Sequence, residues 1–506
     1  MAKGKRLKFC INNEWRDTSS GTYMEVTNSS TGEIMAETPR CTSDEVNEAV
    51  QAAKAAFQEW SQTPVQKRAD LMFKFKVKIE ENLDELATLV AKEHGKNMAE
   101  SRGDIIKAME VVEAACATPY LMQGDSLMNV SKGHDTVMHR EPLGVFAGIV
   151  PMNFPGMIPF GWMLPFCITT GNTFVLKAAS QVPQTGMRLL ELLIEAGLPE
   201  GVVNLVTCSR NEAELLLKHP VVKGISYVGS SKVGRHIYQT AAAHSKRVQV
   251  LGEAKNHALV LKDAVLERVA AGIINSSFGC AGQRCMALPV VCVEEEVADE
   301  LVSHIVKFAK DLKVGPAYDP ATSLGPVVSA EHKKDVSEWI AKGVEEGAKL
   351  VLDGRDVQVE GYENGFYLGP TIFDHVKPNM SVGNDEIFGP VLCIKRVKDF
   401  EDGLAVMNAS PYANGSCIFT QNGHYAREFT YRTHAGMVGV NVGIPVPVSY
   451  FPFTGHKESF FGDLHVMGKD GVAFYTESKC VTSRWFTEED SKETKVSTWE
   501  GTIHRE

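Results

Sequence analysis

The 506-residue chain contains no apolar run long enough to cross a bilayer, which takes roughly twenty residues, so a membrane protein is not expected. Blocks of basic residues are missing too. The 52 Lys and Arg lie scattered among 63 Asp and Glu, giving a net charge of −11, and this balance argues against nucleic acid as a partner. The 11 cysteines stand singly, without the CxxC pairs of a metal site or the density of a disulfide framework. They are expected to be reduced thiols, with no metal bound, in a cytoplasmic protein. Lys3, Lys5, Arg6 and Lys8 are followed by no apolar segment and no small-residue cleavage site, so no secretory signal is expected; a trimmed organellar precursor is the alternative. Repeats and low-complexity segments are absent. Hydrophobic residues at 44% and charged residues at 23% are those of a globular chain, and its length calls for at least two domains.

Residues 8–37 read as short strands and turns. Thr42-Ser43-Asp44-Glu45 has capping-box spacing and opens a helix with Val46, Val50, Ala53 and Phe57 on one face. A longer helical region is expected from about Pro64 to His94, where Ile79, Leu83, Leu86 and Val90 make one stripe, and a third helix from Ile105 to Met122. From Gly144 the texture changes. Apolar runs at Val145–Pro151, Thr173–Lys177, Val202–Cys208 and Ile225–Val228, separated by helical patterns at Gln184–Ala196 and Glu212–His219, predict a parallel sheet covered on both faces. Ligands of such sheets bind at the carboxyl ends of the strands. Three loops fall there. One carries Asn153 between Pro151 and Pro155, one follows Lys177, and Gly229-Ser230-Ser231-Lys232-Val233-Gly234 offers helix N-terminal amides and a hydroxyl to a phosphate. Taken alone, Asn153 is as consistent with turn chemistry as with donation to an oxyanion, and the glycine loop is short of a full G-x-G-x-x-G. A second α/β unit follows from about Val265, with helices near Asp299–Leu312 and Ala330–Glu346. Pro- and Gly-rich loops at Gly439–Val448 and Phe451–Gly455 suit a pocket wall, and the charged tail after Trp485 is expected to be loose.

The chemistry is expected at Ser277-Phe278-Gly279-Cys280-Ala281-Gly282-Gln283-Arg284-Cys285-Met286. A thiol reacts as its thiolate, which a neighbouring guanidinium and polar backbone favour, so Cys285, directly after Arg284, is the expected nucleophile. Gly279 and Gly282 allow a sharp turn, and Cys280 behind Phe278 is expected to pack.

Met152-Asn153-Phe154-Pro155, Lys177, Gly229-Ser230 with Gly234, Gly282-Gln283-Arg284-Cys285, Glu386-Ile387-Phe388-Gly389-Pro390 and Phe453-Thr454-Gly455 occur in an order that resembles the aldehyde dehydrogenase superfamily over residues 8–486. Gly282–Ala287, Ala254-Lys255-Asn256-His257, Gly443–Pro447 and Ser459–Asp463 resemble its CoA-acylating methylmalonate/malonate-semialdehyde branch. The resemblance implies an α/β fold with a Rossmann-like NAD(P)-binding domain (7–120 and 144–255), a catalytic domain (256–456) and a small β oligomerisation arm (121–143 and 470–486) that joins a homodimer or homotetramer. It implies that Cys285 attacks a small aldehyde, that hydride passes to NAD, with NADP the alternative, and that the thioester passes to coenzyme A. Asn153 and the Cys285 amide would form the oxyanion hole. Lys177 and Glu386 would bind the cofactor riboses and Ser230 the pyrophosphate, with Ser180, Gly229, Gly234 and Phe388 beside them.

Three departures bear on this expectation. Leu251 stands where hydrolytic relatives carry their glutamate base, and Glu253 lies two residues on, where a surface or structural role is favoured over a displaced base. Lys107 replaces the arginine that, with Arg284, would hold a substrate carboxylate; an ammonium lacks the two-pronged donor geometry. Lys177-Ala178-Ala179-Ser180 lacks the carboxylate expected at the adenosine ribose. A hydrolytic enzyme releasing a free acid, or an idle cofactor-binding member of the fold, are the competing readings.

Overall fold

A computed structural model describes residues 4–131 and 133–488; the tail from residue 489 lies outside the described residues, as do residues 1–3 and 132. Two large sheets dominate. In the first, five parallel strands lie in the order Arg247–Leu251, Val222–Val228, Val145–Ile149, Thr173–Lys177 and Val203–Val206. Phe460–Phe461 adds an antiparallel strand at one edge, and Phe9–Ile11 with Glu14–Arg16 extend the other. The second sheet runs Lys349–Leu352, Thr371–Asp374, Val391–Val397, Val290–Glu294, His257–Val260, Gly415–Phe419 and Met437–Val440, parallel except for its first strand. Strands such as Thr173–Lys177 are buried along nearly their whole length because helices cover both faces, which is why they read as continuous apolar runs. A separate antiparallel sheet joins Ser126–Ser131, His134–Pro142 and Thr476–Arg484. Among the described residues, no helix is long and apolar enough to cross a membrane.

The helix Ser43–Trp60 begins with the expected reciprocal cap: Thr42 Oγ1 accepts from the Glu45 amide at 3.2 Å, and Glu45 accepts from the Thr42 amide at 2.8 Å. The helix expected over Pro64–His94 is instead two, Val65–Glu81 and Leu83–His94, broken at Asn82, whose side-chain amide donates to the Lys78 carbonyl at 2.8 Å and closes the first helix. The next helix is also displaced. It spans Met98–Ala115, not Ile105–Met122, because Asn97 and Glu100 form a capping box of the same spacing about two turns earlier; Thr118–Leu121 is a separate turn.

Candidate active site

The helix Leu266–Phe278 delivers the chain to a tight turn in which Cys280 and Ala281 both have φ of 52° and Gly282 has φ of 72°. Left-handed backbone at two non-glycine residues is strained and persists only where the surroundings hold it. They do so closely. A Cβ on Gly282 would overlap the carbonyl oxygen of Gly389, in the turn after Glu386. Beyond the turn, Asn256 Nδ2 donates to the carbonyls of Cys285 at 2.9 Å and Ala287 at 2.7 Å, while its Oδ1 accepts from the Gly415 amide at 2.8 Å. Asn414 adds a donor to the Cys285 carbonyl at 3.3 Å.

Cys285 is half-buried, whereas Cys280 is fully buried. Burial pushes the Cys285 thiol up to about 12; Glu386 adds to the rise, and the backbone amides of Cys285 and Met286 and the buried ammonium of Lys96 oppose it. The expected activation of Cys285 by its neighbour Arg284 is therefore corrected. Arg284 Nε donates to Cys280 Sγ at 3.1 Å and its guanidinium pairs with Glu100 at 3.3 Å, so its charge acts first on those groups and only weakly on Cys285. Cys280 does pack, and it also meets this guanidinium at the wall of the cavity that holds Cys285.

That cavity, of about 340 Å³, is mainly apolar, with Phe154, Met157, Trp162, Ile444, Val446 and Phe453 in its walls. One face of the helix Met98–Ala115 supplies Glu100, Gly103, Asp104 and Lys107, three or four residues apart as one helical stripe requires. Lys107, half exposed, lines this cavity while its Nζ pairs with Glu110 at 2.6 Å. Asn153 is buried in the loop after Val145–Ile149, and its Oδ1 has no hydrogen-bond partner. The residue after it, Phe154, lines the cavity with Cys285, and a π-helical segment, Ile158–Met163, then presents Trp162.

A nicotinamide dinucleotide needs a phosphate-binding turn and groups for its riboses, and the carboxyl ends of the first sheet provide both. Lys177, at the end of its strand, is half-buried; its ammonium has no hydrogen-bond or ion-pair partner among the described residues, and burial holds it below the usual range. Ser230 caps the helix Ser231–Ala243 without a side-chain bond to it, leaving its hydroxyl and the first amides for an anion. Gly234 allows the helix onto the sheet, since a Cβ there would lie 2.5 Å from Val250 Cγ1. Gly229 forms the strand-to-helix turn, its amide donating to the Leu251 carbonyl at 3.1 Å. Ser180 is half-buried in the loop after Lys177. Across from these, burial raises the Glu386 carboxyl to about 8, although it accepts from the Ala254 amide at 2.9 Å, and Phe388 sits in the left-handed region at φ 59°, held by His332 Nε2 donating to its carbonyl at 2.8 Å. These groups fit the cofactor. Leu251 is buried at its strand end, and Glu253 accepts from the Tyr412 hydroxyl at 3.3 Å instead of lining the Cys285 cavity.

Glu100, Lys96, Asp104 and Asn414 carry no role in the sequence reading. Glu100 had a legible signal, its capping-box spacing from Asn97; the others act through contacts distant in the chain.

A parallel-sheet unit ending in phosphate-type turns, together with a cysteine turn on an apolar cavity, is the arrangement of a nucleotide-dependent aldehyde oxidoreductase. The chain belongs to the aldehyde dehydrogenase family, whose model matches residues 15–481. It is 48% identical over 480 residues to malonate-semialdehyde dehydrogenase 2 of Geobacillus kaustophilus, covering 95% of this chain and 99% of that one. Among solved structures, methylmalonate-semialdehyde dehydrogenase of Oceanimonas doudoroffii superposes with a TM-score of 0.94 at 41% identity, over 97% of this chain and all of that one. A Sinorhizobium meliloti protein assigned as methylmalonate-semialdehyde dehydrogenase and solved with NAD gives 0.95 at 40% identity, over 96% and 99%.

Proposed function

We propose that this aldehyde dehydrogenase oxidises a short semialdehyde bearing an acid group, of the malonate or methylmalonate semialdehyde kind, through a thioester on Cys285 that passes to coenzyme A. Cys285, having given up its proton to solvent, adds as the thiolate to the aldehyde carbon, and the oxygen, which takes the carbonyl electron pair and becomes anionic, is held by the Asn153 amide and the Cys285 backbone N–H; one such donor is typically worth about 10²–10³ in rate. NAD supplies the hydride acceptor. Lys177, Ser180, Gly229, Ser230, Gly234, Glu386 and Phe388 bind and orient it, within a unit made of residues 7–120 and 144–255, while 256–456 carry the cysteine. Coenzyme A thiolate then attacks the thioester carbon and releases Cys285. Lys107 and Arg284 receive the substrate's acid group, which must compete with Glu110 and Glu100 for them.

The observation that carries coenzyme A as acceptor is the state of the carboxylates around the cavity. Glu100 is taken up by Arg284 and the Cys280 amide, Asp104 by Lys96 and the Met157 amide, and Glu253 by Tyr412. Neither of the two lining carboxylates, Glu100 and Asp104, is left to take a proton from water, and Glu253 lies outside the lining. The hydrolytic reading rests on one group, Glu386, whose raised carboxyl pKa and influence on Cys285 suit a base. The sheet of Ser126–Ser131, His134–Pro142 and Thr476–Arg484, within the arm expected over 121–143 and 470–486, exposes Leu127, Met128 and Val481, with Trp485 just beyond its last strand, which supports a homodimer or homotetramer joined through it. Free cysteines throughout support a cytoplasmic setting. NADH formation from malonate semialdehyde, with and without coenzyme A, tests the reading. An acyl-CoA product and turnover at least about 10²-fold faster with coenzyme A are expected, the usual scale of missing general-base help. Equal rates with free acid as product, lost in Glu386→Gln, would establish hydrolysis instead.

A further inference from the structure

Lys96 and Asp104 form an ion pair at 3.0 Å with both side chains wholly inaccessible to solvent. Such a pair is a poor stabilising device, because an apolar pair of the same size avoids the desolvation cost. Its contacts show what it does hold. Asp104 Oδ1 accepts from the Met157 amide at 2.8 Å, and Oδ2 takes the ammonium. Lys96 Nζ lies 3.5 Å from the centre of the Phe154 ring. Gly156 has no side chain because a Cβ there would meet Ile105 Cδ1 at 2.7 Å and Asp104 Oδ1 at 3.3 Å. The pair thus holds the loop 154–157 at two points, the Phe154 ring and the Met157 amide, and packs closely against Gly156 between them, directly after Asn153.

We infer that Lys96 and Asp104 are positioning residues for the oxyanion site: they fix the loop that carries Asn153 relative to the Cys285 cavity, and the reaction depends on them through Asn153. The inference rests on Asn153 as oxyanion donor.

Removing one partner would strand a buried charge, so both are replaced together. Lys96→Met with Asp104→Asn keeps an oxygen for the Met157 amide; Lys96→Met with Asp104→Leu does not. The measurement is the first-turnover burst of NADH, whose amplitude counts folded, competent sites and whose rate constant reports the chemistry in each. The Asn double variant, which loses the Lys96 contacts but keeps an acceptor for the Met157 amide, is expected to lose several-fold in burst rate and the Leu double variant about 10- to 100-fold, with KM for NAD unchanged in both. In an Asn153→Ala background the Leu double variant should add less than about threefold, because the two act as one unit. Losses that multiply, a wild-type burst rate in the Leu double variant, or a rise in KM for NAD that accompanies the loss would overturn the inference. If Asn153→Ala alone is silent, the oxyanion assignment falls and takes this inference with it. If Asn153→Ala is slow and the losses multiply, only the inference falls.

Discussion

Asn256 donates to the carbonyl of Cys285, so the residue that fixes the nucleophile comes from the start of the second sheet and not from the nucleophile's own turn. Its amide satisfies three backbone groups at once. Asn256→Leu takes this partner from the Ala287 carbonyl and the Gly415 amide, at about 1–3 kcal/mol each, and leaves the Cys285 carbonyl to Asn414 alone. A melting temperature lowered by several degrees and a fall in kcat of at least tenfold are expected, read by thermal melting and steady-state assay. Full activity in a stable variant would show that Cys285 needs no such anchor.

The two cysteines of the cavity should separate cleanly in function. Cys285 is half-buried and free to meet substrate, while Cys280 is closed off beneath Arg284. Cys285→Ala is expected to abolish the NADH burst and Cys280→Ala to retain most of it. Comparable losses in the two variants would reject Cys285 as the unique nucleophile.

Glu386 links stability to pH. Its carboxyl, raised from near 4.5 to about 8 by burial, holds a proton in the folded state that the unfolded chain has released. Stability contributed by the neutral acid is present below about 4.5 and is lost as pH rises through about 8. Glu386→Gln keeps an acceptor for the Ala254 amide and removes the penalty. The variant should melt with the wild type near pH 4.5 and above it at pH 8.5, by up to a few kcal/mol of stability. A gap that does not change with pH would mean that Glu386 is ionised throughout.

The first sheet was legible because a buried parallel strand has to be apolar on both sides: Thr173–Lys177 begins and ends where the residues suggest. The break at Asn82 was not, since the stripe Ile79, Leu83, Leu86 and Val90 continues in phase across it and the stop is made by a side chain turning back on Lys78. Asn97-Met98-Ala99-Glu100 carried the same spacing as Thr42–Glu45 and could have been read the same way. Arg284 marks the limit of reasoning from adjacency. In irregular backbone, neighbouring side chains diverge, and this one turns back to Cys280 four residues earlier.

The missing side chain of Gly282 couples two segments about a hundred residues apart. Any larger residue there must push on the carbonyl of Gly389, three positions after Glu386. The turn before Cys285 and the turn after Glu386 are therefore seated directly against each other. With Cys285 as nucleophile and Glu386 as cofactor ligand, as proposed, a larger residue at 282 would register as altered nucleotide affinity as well as slower chemistry.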